Sequence, residues 1–369
     1  MRDLCTVSRI DKLIPIENKQ YIELATVNNY TVIVTKGDFK VGDLCIYCFY
    51  DTICPNNKMF EHLKKYCHYS TLYDGYRITE MKMAGVFSSG IIFGLDIVDK
   101  KYHKLGTDLT EILGIQRYDP EEKKEVTSKK QNKLLKFLMR YKFFRRLRKL
   151  LFGKKVSKVY PLTVHKSNET NVETNFNKLP KDHEYYLTEK LEGQAGCWLI
   201  KGRKNKFMQF SHNVYRDMKE NNTWTKVNYA YDLEEILKKH YKETKTRIAI
   251  QGEICGPGIQ RNVYGFKELK LFVYKVTNVD NGKAFNYNEL NEFCDKYLLT
   301  IVPKVKISNL LNNVDEMLLD CEGASVFKNN GKSVKREGIV WRSTKDQSIG
   351  CKCKSRDYKI WFYKKDKVE

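Results

Sequence analysis

A strongly basic segment in the middle of the chain most constrains how the rest can fold. From Lys129 to Lys155 it carries twelve Lys or Arg residues and no Asp or Glu, and its central run reads KLLKFLMRYKFFRRLRKLLF. Apolar residues recur at helical spacing between the basic ones, at Leu134, Phe137, Leu138, Tyr141, Phe144, Leu147 and Leu151. The pattern predicts a basic amphipathic connector over residues 116–158, with a differently patterned region on each side.

Three uses of this connector are open from its composition: lying on a membrane, binding acidic partners, or gripping a nucleic-acid backbone. The whole chain is also basic, since 67 Lys and Arg outnumber 45 Asp and Glu and give a net charge of +22. Such a charge favours phosphate-bearing partners or anionic membrane surfaces. We favour a connector helix that packs by its apolar stripe and contacts phosphates, with membrane docking as the alternative.

The region before the connector, residues 1–115, has the pattern of a small β-rich module. Short β-like runs such as YIELATV, YTVIVTK, DLCIYCFY and SGIIFGL are separated by turn signals at Asn28-Asn29, Gly37-Asp38 and Gly42-Asp43. This pattern is compatible with a small barrel of the OB type, a fold that commonly binds nucleic acid.

The region after the connector, residues 159–369, mixes strands and helices. Runs such as RIAIQGEI, LFVYKV and EGIVWRS alternate with helical stretches such as YDLEEILKKH and NYNELNEFCDKYL. The predicted fold class is therefore α+β with antiparallel sheets in this domain.

The cysteines and the N-terminus bear on compartment and metal content. The eleven cysteines are scattered and mostly within strand-like segments, as expected for reduced thiols, and no signal-peptide pattern or long apolar run is present. We therefore expect a soluble intracellular protein with no integral membrane segment. Cys45, Cys48, Cys54, Cys67 and His68 raise a zinc site as an alternative, but no second CxxC or paired His completes a tetrahedral set.

A lysine at a strand–turn–strand corner heads a series of motifs. In YLTEKLEGQAGCWLI, residues 186–200, short strands flank a turn that contains Lys190-Leu191-Glu192-Gly193. There follow, in order, Ser211-His212-Asn213, Gln251-Gly252-Glu253, Leu271-Phe272-Val273-Tyr274, Glu337-Gly338-Ile339-Val340 and Lys352-Cys353-Lys354. With this order the chain resembles the covalent nucleotidyltransferase superfamily of RNA ligases, DNA ligases and capping enzymes.

The residue types suit nucleotidyl transfer through a lysine. An amine attacks an α-phosphate only when deprotonated, and we expect Lys352 and Lys354 to lower the pKa of Lys190 while contacting that phosphate. Lysines at i and i+2 of a strand face the same side. Glu337 and Glu253 are the candidate ligands of Mg²⁺ or Mn²⁺, with Glu253 alternatively accepting from a ribose hydroxyl. Phe272 offers a flat face to adenine.

Few residues follow Lys354, and a β-rich module precedes the catalytic region, so the arrangement resembles the Deinococcus-type RNA ligases. The resemblance implies ATP as the nucleotide, Lys190 as the carrier of AMP, and Glu189 and Gly193 among the nucleotide-binding residues. It also implies transfer of AMP to a 5′-phosphate and sealing by a 3′-OH, at nicks with an RNA 3′-OH strand. His212 stands where the related pattern has Arg, which makes its phosphate or ribose contact weaker.

Other functions remain open from the sequence. Within the same superfamily these are a DNA-nick ligase and a capping-type guanylyltransferase, and outside it a nucleic-acid-binding protein on an inactive ligase scaffold. The expected partner is RNA or an RNA-containing nicked duplex, and a monomer is favoured.

Overall fold

The computed structural model describes residues 4–118, 160–164, 169–202, 205–211 and 214–366. The basic segment 129–155, nearly all of the predicted connector, and His212 lie outside the described residues. The chain divides into two compact units, Met1–Gly153 together with Lys359–Glu369, and Lys154–Tyr358. The predicted domain limits at 115 and 158 stay predictions, because the chain between the two regions lies outside the described residues.

The first unit is built from short antiparallel strands, as its turn signals predict. Asn28 and Asn29 both have positive φ angles of 51° and 64°, which is the backbone of a tight two-residue hairpin, and Asn tolerates it well. The strands are β1 (Cys5–Arg9), β2 (Lys12–Pro15), β3 (Ile22–Val27), β4 (Tyr30–Thr35), β5 (Leu44–Cys48), β6 (Thr52–Pro55), β7 (His68–Ser70), β8 (Gly75–Ile78), β9 (Glu80–Met83), β10 (Val86–Ser89), β11 (Ile91–Phe93) and β12 (Gln116–Arg117).

These strands form the sheets β1-β5-β11, β2-β3-β4, β12-β6-β8-β7 and β10-β9. Short 3₁₀ helices connect them at Glu61–Lys65, Leu95–Ile97 and Lys100–Tyr102. Alternate residues of β3 and β4 are buried, so one face of this sheet meets the core and the other meets solvent.

The cysteines of this unit are core residues. Cys5, Cys48 and Cys54 pack in one apolar cluster and Cys45 in another, and burial raises the pKa of Cys45 to about 12. Within the described part of the chain, no group of three or more His, Cys, Asp and Glu side chains could hold a metal ion. All eleven cysteines are free thiols.

The second unit contains two larger antiparallel sheets and a hairpin. Their strands are β13 (Glu184–Lys190), β14 (Gln194–Lys201), β15 (Lys206–Phe210), β16 (Tyr215–Arg216), β17 (Ile248–Cys255), β18 (Lys270–Asn278), β19 (Lys304–Asn309), β20 (Ala324–Asn329), β21 (Lys332–Lys335), β22 (Gly338–Ser343) and β23 (Gly350–Lys354). The strand orders are β19-β13-β22-β23, β16-β15-β14-β17-β18 and β20-β21. The five-stranded sheet is buried on both faces, with Trp198 and Ile200 of β14 on one side and Cys197 and Leu199 on the other.

The helices are α1 (Val172–Asn175), a 3₁₀ turn at Phe176–Lys178, α2 (Thr223–Ala230), α3 (Leu233–Thr244), α4 (Tyr287–Lys296), α5 (Val314–Asp320) and α6 (Arg356–Asp366). Asparagines begin three of them. Asn222, Asn286 and Asn313 each accept a backbone N–H of the first turn, which satisfies a donor that has no partner within the helix. None of the described helices combines the length and the apolar composition needed to cross a bilayer.

From Lys359 onward, the residues of helix α6 belong to the first unit. Within the first unit, Lys359 forms an ion pair with Glu80, although these side chains are only 8% and 2% exposed. The Lys359 ammonium also lies 4.2 Å from the centre of the Tyr50 ring. A buried lysine of this kind needs such partners to offset its lost hydration.

Candidate active site

One face of the sheet β19-β13-β22-β23 forms the floor of a cavity of about 210 Å³ in the second unit. The strand register explains which residues reach it, because Lys190 pairs with Gly338, Val340 with Lys352, and Gly338 with Lys354. Five of the residues expected from the sequence line the cavity: Glu189, Lys190, Glu253, Lys352 and Lys354. The folded chain therefore brings together residues separated by up to 165 positions.

Lys190 is the last residue of β13 and its amine is held by a carboxylate. Its Nζ donates to Oε1 of Glu337 at 2.5 Å, and the two side chains are 24% and 14% exposed. Glu337 immediately precedes β22, the strand that pairs with β13, so the backbone ladder sets this contact. An ion pair with this much solvent access can exchange its partners for a ligand.

The pKa of Lys190 departs from the sequence-based expectation. Burial acts to lower it, but the charges of Glu337 and Glu253 more than offset burial, so the pKa of Lys190 is raised. The expectation that Lys352 and Lys354 depress it is therefore wrong for the protein alone. Two nearby carboxylates favour the charged ammonium more strongly than the neighbouring cations disfavour it.

Lys352 and Lys354 occupy alternate positions of β23 and so project to the same side, as predicted. The strand is anchored on both edges. It pairs with β22, and the backbone N–H of Lys352 donates to the carbonyl of Thr170 at 3.0 Å. Two ammonium groups thus border the cavity that contains the Lys190 amine.

Two motif glycines are required by close packing. A Cβ on Gly193 would lie 2.6 Å from both the Glu253 Cγ and the Ile254 carbonyl oxygen. A Cβ on Gly338 would lie 2.1 Å from the Cys353 carbonyl oxygen. Gly193 therefore lets the turn after Lys190 approach the strand that carries Glu253, and this is a packing role beside its predicted role at the nucleotide.

Glu189 is buried beside the cavity, and one of its oxygens lacks a well-aligned partner. Its side chain is 2% exposed, and its Oε2 accepts the Val326 N–H at 3.0 Å. Its Oε1 is buried and has no well-aligned hydrogen-bond partner among the described residues, although the Ser325 hydroxyl is near enough to act on the pKa of this carboxyl. Burial raises the pKa of Glu189. A buried acceptor without a well-aligned partner is costly, so this oxygen marks a position where a ligand donor would be stabilising.

Phe272 lies in an aromatic cluster next to the site. Its ring centre is 5.2 Å from that of Phe327 and 5.9 Å from that of Phe266, and it is 5% exposed. The lining of the cavity contains Tyr274, which lies two residues further on the same strand, and does not contain Phe272. The stacking role of Phe272 stays a prediction.

Sequence reasoning missed an ion pair in the cavity wall, between the buried Arg342 and the partly buried Glu169. Arg342 donates to Oε1 of Glu169 at 2.7 and 3.1 Å and to Oγ1 of Thr188 at 3.2 Å. Burial would raise the pKa of Glu169, but the Arg342 charge and hydrogen bonds outweigh burial and hold it at about 2. Burial lowers the pKa of the adjacent Lys275. The EGIVWR run puts Arg342 on the same strand face as Val340, so the sequence could have indicated Arg342 as a cavity residue. No motif in the sequence marks Glu169.

The carboxylates suit a hydrated divalent cation. Among the described residues no group of three or more potential ligands is arranged to bind a metal directly. Mg²⁺, however, usually keeps several waters and takes one or two carboxylates plus substrate phosphates. Glu337 and Glu253, which both act electrostatically on Lys190, provide that donor set beside Lys352 and Lys354.

Comparisons with known proteins support this interpretation. Residues 4–95 match a family model described as an OB-fold domain, and residues 183–360 match one described as RNA ligase. No curated protein sequence gives a significant match.

Solved structures of the RNA ligase from Naegleria gruberi are similar over nearly the whole chain. A mutant with AMP and manganese has a TM-score of 0.79 at 21% identity, covering 97% of this chain and 98% of that one. A mutant with ATP and manganese gives 0.78 at 20%, covering 96% and 98%, and the ligase with pyrophosphate gives 0.78 at 20%, covering 97% and 98%. These likenesses concern the fold. Together with the family models they confirm the predicted architecture: this chain joins an OB-fold domain to a domain of the RNA ligase family.

Proposed function

We propose that this protein is an ATP-dependent RNA ligase that joins 5′-phosphate and 3′-OH ends through a lysyl-AMP intermediate, at nicks with an RNA 3′-OH strand. The observation that carries the proposal is the position of the Lys190 amine. It lies in the cavity of the RNA ligase domain, 2.5 Å from a carboxylate and on the same sheet face as Lys352 and Lys354.

The first step follows from this arrangement. The deprotonated Nζ of Lys190 attacks the α-phosphorus of ATP, an N–P bond forms, the bond to the bridging oxygen breaks, and pyrophosphate leaves. Lys352 and Lys354 stabilise the charge that develops on the α-phosphate. Glu337 and Glu253 would hold Mg²⁺ or Mn²⁺, which would supply charge neutralisation at the phosphates. These carboxylates would then be drawn away from Lys190, and its neutral amine would be favoured.

Adenine recognition rests on Glu189. Its Oε1 is a buried acceptor without a well-aligned partner among the described residues, and the adenine amino group is a donor that would satisfy it. Tyr274 provides aromatic surface in the cavity lining, on strand β18. Phe272, two residues earlier on that strand, stays the predicted stacking partner of adenine. These assignments favour ATP over GTP, which carries a carbonyl oxygen at the corresponding ring position.

The later steps use the same cavity. The AMP passes from Lys190 to the oxygen of an RNA 5′-phosphate, which frees the amine, and a 3′-OH then attacks this activated phosphate and expels AMP. Lys352 and Lys354 again bear on the phosphate under attack. Glu253 accepts from a ribose hydroxyl in the alternative use of that carboxylate.

Intact mass after incubation with ATP and Mg²⁺ or Mn²⁺ tests the first step. We expect the wild type to gain one AMP, roughly 329 Da, and Lys190→Ala to gain none. Lys201→Ala is the matched control, because Lys201 is an exposed lysine in the same unit. Absence of the adduct from wild-type protein freed of any prior AMP would favour a nucleic-acid-binding protein without catalysis.

Nick sealing with defined strands tests the product. We expect sealing of an RNA 3′-OH strand to exceed sealing of a DNA 3′-OH strand of the same sequence. Faster sealing of the DNA strand would identify a DNA ligase, and selective labelling by GTP would identify a capping-type guanylyltransferase.

A further inference from the structure

The first unit carries a groove that the chemistry at Lys190 does not use. The β6–β8 groove, as we name it, has a volume of about 530 Å³ and lies between the end of β6, the 3₁₀ helix Glu61–Lys65, and the hairpin of β7 and β8. Its exposed lining consists of Asn56, Asn57, Lys58, Glu61, Lys64 and Tyr69, with the buried Tyr76 behind them. Amide, aromatic and basic groups thus share one concave surface.

The aromatic part of the groove is held in place. Tyr69 is 40% exposed, yet its hydroxyl donates to Asp74 Oδ1 at 2.5 Å, and its ring meets the Tyr76 ring edge to face at 5.8 Å. The same Asp74 oxygen accepts from Asn56 Nδ2 at 3.2 Å, and Asn56 Oδ1 accepts from the Tyr76 hydroxyl. An exposed ring fixed by such a network is a ready platform for stacking.

The polar part of the groove has unused donors. Asn57 accepts the Phe60 N–H through Oδ1, and its own side-chain N–H groups bond to none of the described residues. Lys58 and Lys64 form no ion pair with any described residue. Amide donors can contact a base edge, and free ammonium groups can contact the phosphates on either side of it.

We propose that the β6–β8 groove binds unpaired RNA, with one base stacked on Tyr69 and its flanking phosphates at Lys58 and Lys64. Glu61 is the one carboxylate in the lining and can accept a hydrogen bond from a ribose 2′-OH, a donor that DNA lacks. The choice of RNA as occupant rests on the proposed ligase function.

Binding of a fluorescein-labelled single-stranded RNA 12-mer to the full chain tests this site. Fluorescence anisotropy is measured on the Lys190→Ala background, so that no chemistry occurs. We expect Tyr69→Ala to weaken binding by about five- to a hundredfold, because stacking of one base contributes in that range. Tyr69→Phe should bind within about threefold of the parent, since the ring is what the site uses.

The lysines give an independent readout. In Lys58→Ala/Lys64→Ala, the slope of log K against log salt should become shallower by about 1.4, because each contact to a single strand contributes about 0.7. Lys36→Ala/Lys40→Ala removes two exposed lysines of the same unit elsewhere and should leave affinity and slope unchanged. Because Lys58 and Lys64 are exposed, the lysine double variant should unfold at the parent's temperature. Tyr69→Ala also loses the Asp74 hydrogen bond and the Tyr76 ring contact, so its affinity is measured well below its own unfolding temperature.

Three results would overturn the proposal: Tyr69→Ala binding like the parent, equal affinity for the DNA 12-mer, or displacement of RNA by polyglutamate at equal charge. The last would indicate a general polyanion surface. On the wild-type Lys190 background, the groove variants should form lysyl-AMP normally. A failed ligase proposal would instead show as absent lysyl-AMP in every variant, whatever the RNA affinity, so the two failures are distinguishable.

Discussion

The cavity of the RNA ligase domain contains two ion pairs of different character. In the reactive pair, Lys190 and Glu337 share one hydrogen bond and are 24% and 14% exposed. In the anchor pair, Arg342 is 3% and Glu169 18% exposed, and Arg342 donates twice to Glu169 and also to Thr188. A lysine is a single mobile point charge, whereas the guanidinium is a rigid fork. We infer that the reactive pair can exchange its partners for a ligand, whereas the anchor pair keeps its partners.

The largest effect should come from the two ammonium groups beside the reactive pair. We expect Lys352→Ala and Lys354→Ala each to slow lysyl-AMP formation by about 10²–10³-fold, because each removes a donor from the charge that develops on the phosphate. The measurement is single-turnover adenylylation at saturating ATP. Lys332→Ala, an exposed lysine on the hairpin β20–β21, should react at the wild-type rate. Near-normal rates in both β23 variants would remove these lysines from the chemistry.

The second effect separates the two pairs by stability. Arg342→Ala should lower the free energy of unfolding by about 3–5 kcal/mol, because it removes a buried guanidinium with three side-chain hydrogen bonds and leaves Glu169 without its partner. Lys190→Ala should lower it by less than about 1 kcal/mol, because Lys190 is itself 24% exposed and its ion pair has a single hydrogen bond. Urea unfolding followed by tryptophan fluorescence measures both, since Trp341 adjoins Arg342 in β22.

A double variant controls for lost volume at the anchor pair. Arg342→Met/Glu169→Leu removes both charges together and should be more stable than Arg342→Ala. If Arg342→Ala proves as mild as Lys190→Ala, the distinction between an anchor pair and a reactive pair is wrong.

The third effect is the acid dependence of the anchor pair. The folded-state pKa of Glu169 is about 2, below its usual value of 4.5, so its stabilising contribution is complete above pH 4.5 and is lost as pH falls toward 2. A shift of that size corresponds to roughly 3 kcal/mol. Between pH 5 and 2 the wild type should therefore lose about that much more stability than Glu169→Gln, as measured by urea unfolding at each pH. Parallel loss in both proteins would contradict the assignment.

The sequence was sufficient to predict the lysines around the reactive pair and insufficient to predict the anchor pair. Lys190, Lys352 and Lys354 could be predicted because their motifs have fixed order and spacing, and strand alternation sets their direction. Glu169 lies 173 positions from Arg342 and belongs to no motif, so only the folded chain reveals their contact. The sign of the Lys190 pKa shift depends on the distances from its amine to nearby carboxylates and cations. Those distances cannot be read from the residue order.

The smallest expected effect tests the sign of the Lys190 pKa shift, and so the character of the reactive pair. Because the folded-state pKa of Lys190 is raised, the rate of lysyl-AMP formation should climb with pH along an acid limb displaced to high pH. Glu337→Gln removes the largest attractive charge on the amine and should move this limb to lower pH, even where the plateau falls. Glu192→Gln is the matched control. Its carboxylate accepts the Arg261 N–H and is not among the charges that raise the pKa of Lys190, so the limb should stay in place. If the acid limb of Glu337→Gln stays in place or moves to higher pH, a group other than Lys190 titrates. The Lys190–Glu337 pair would then be structural, like the anchor pair.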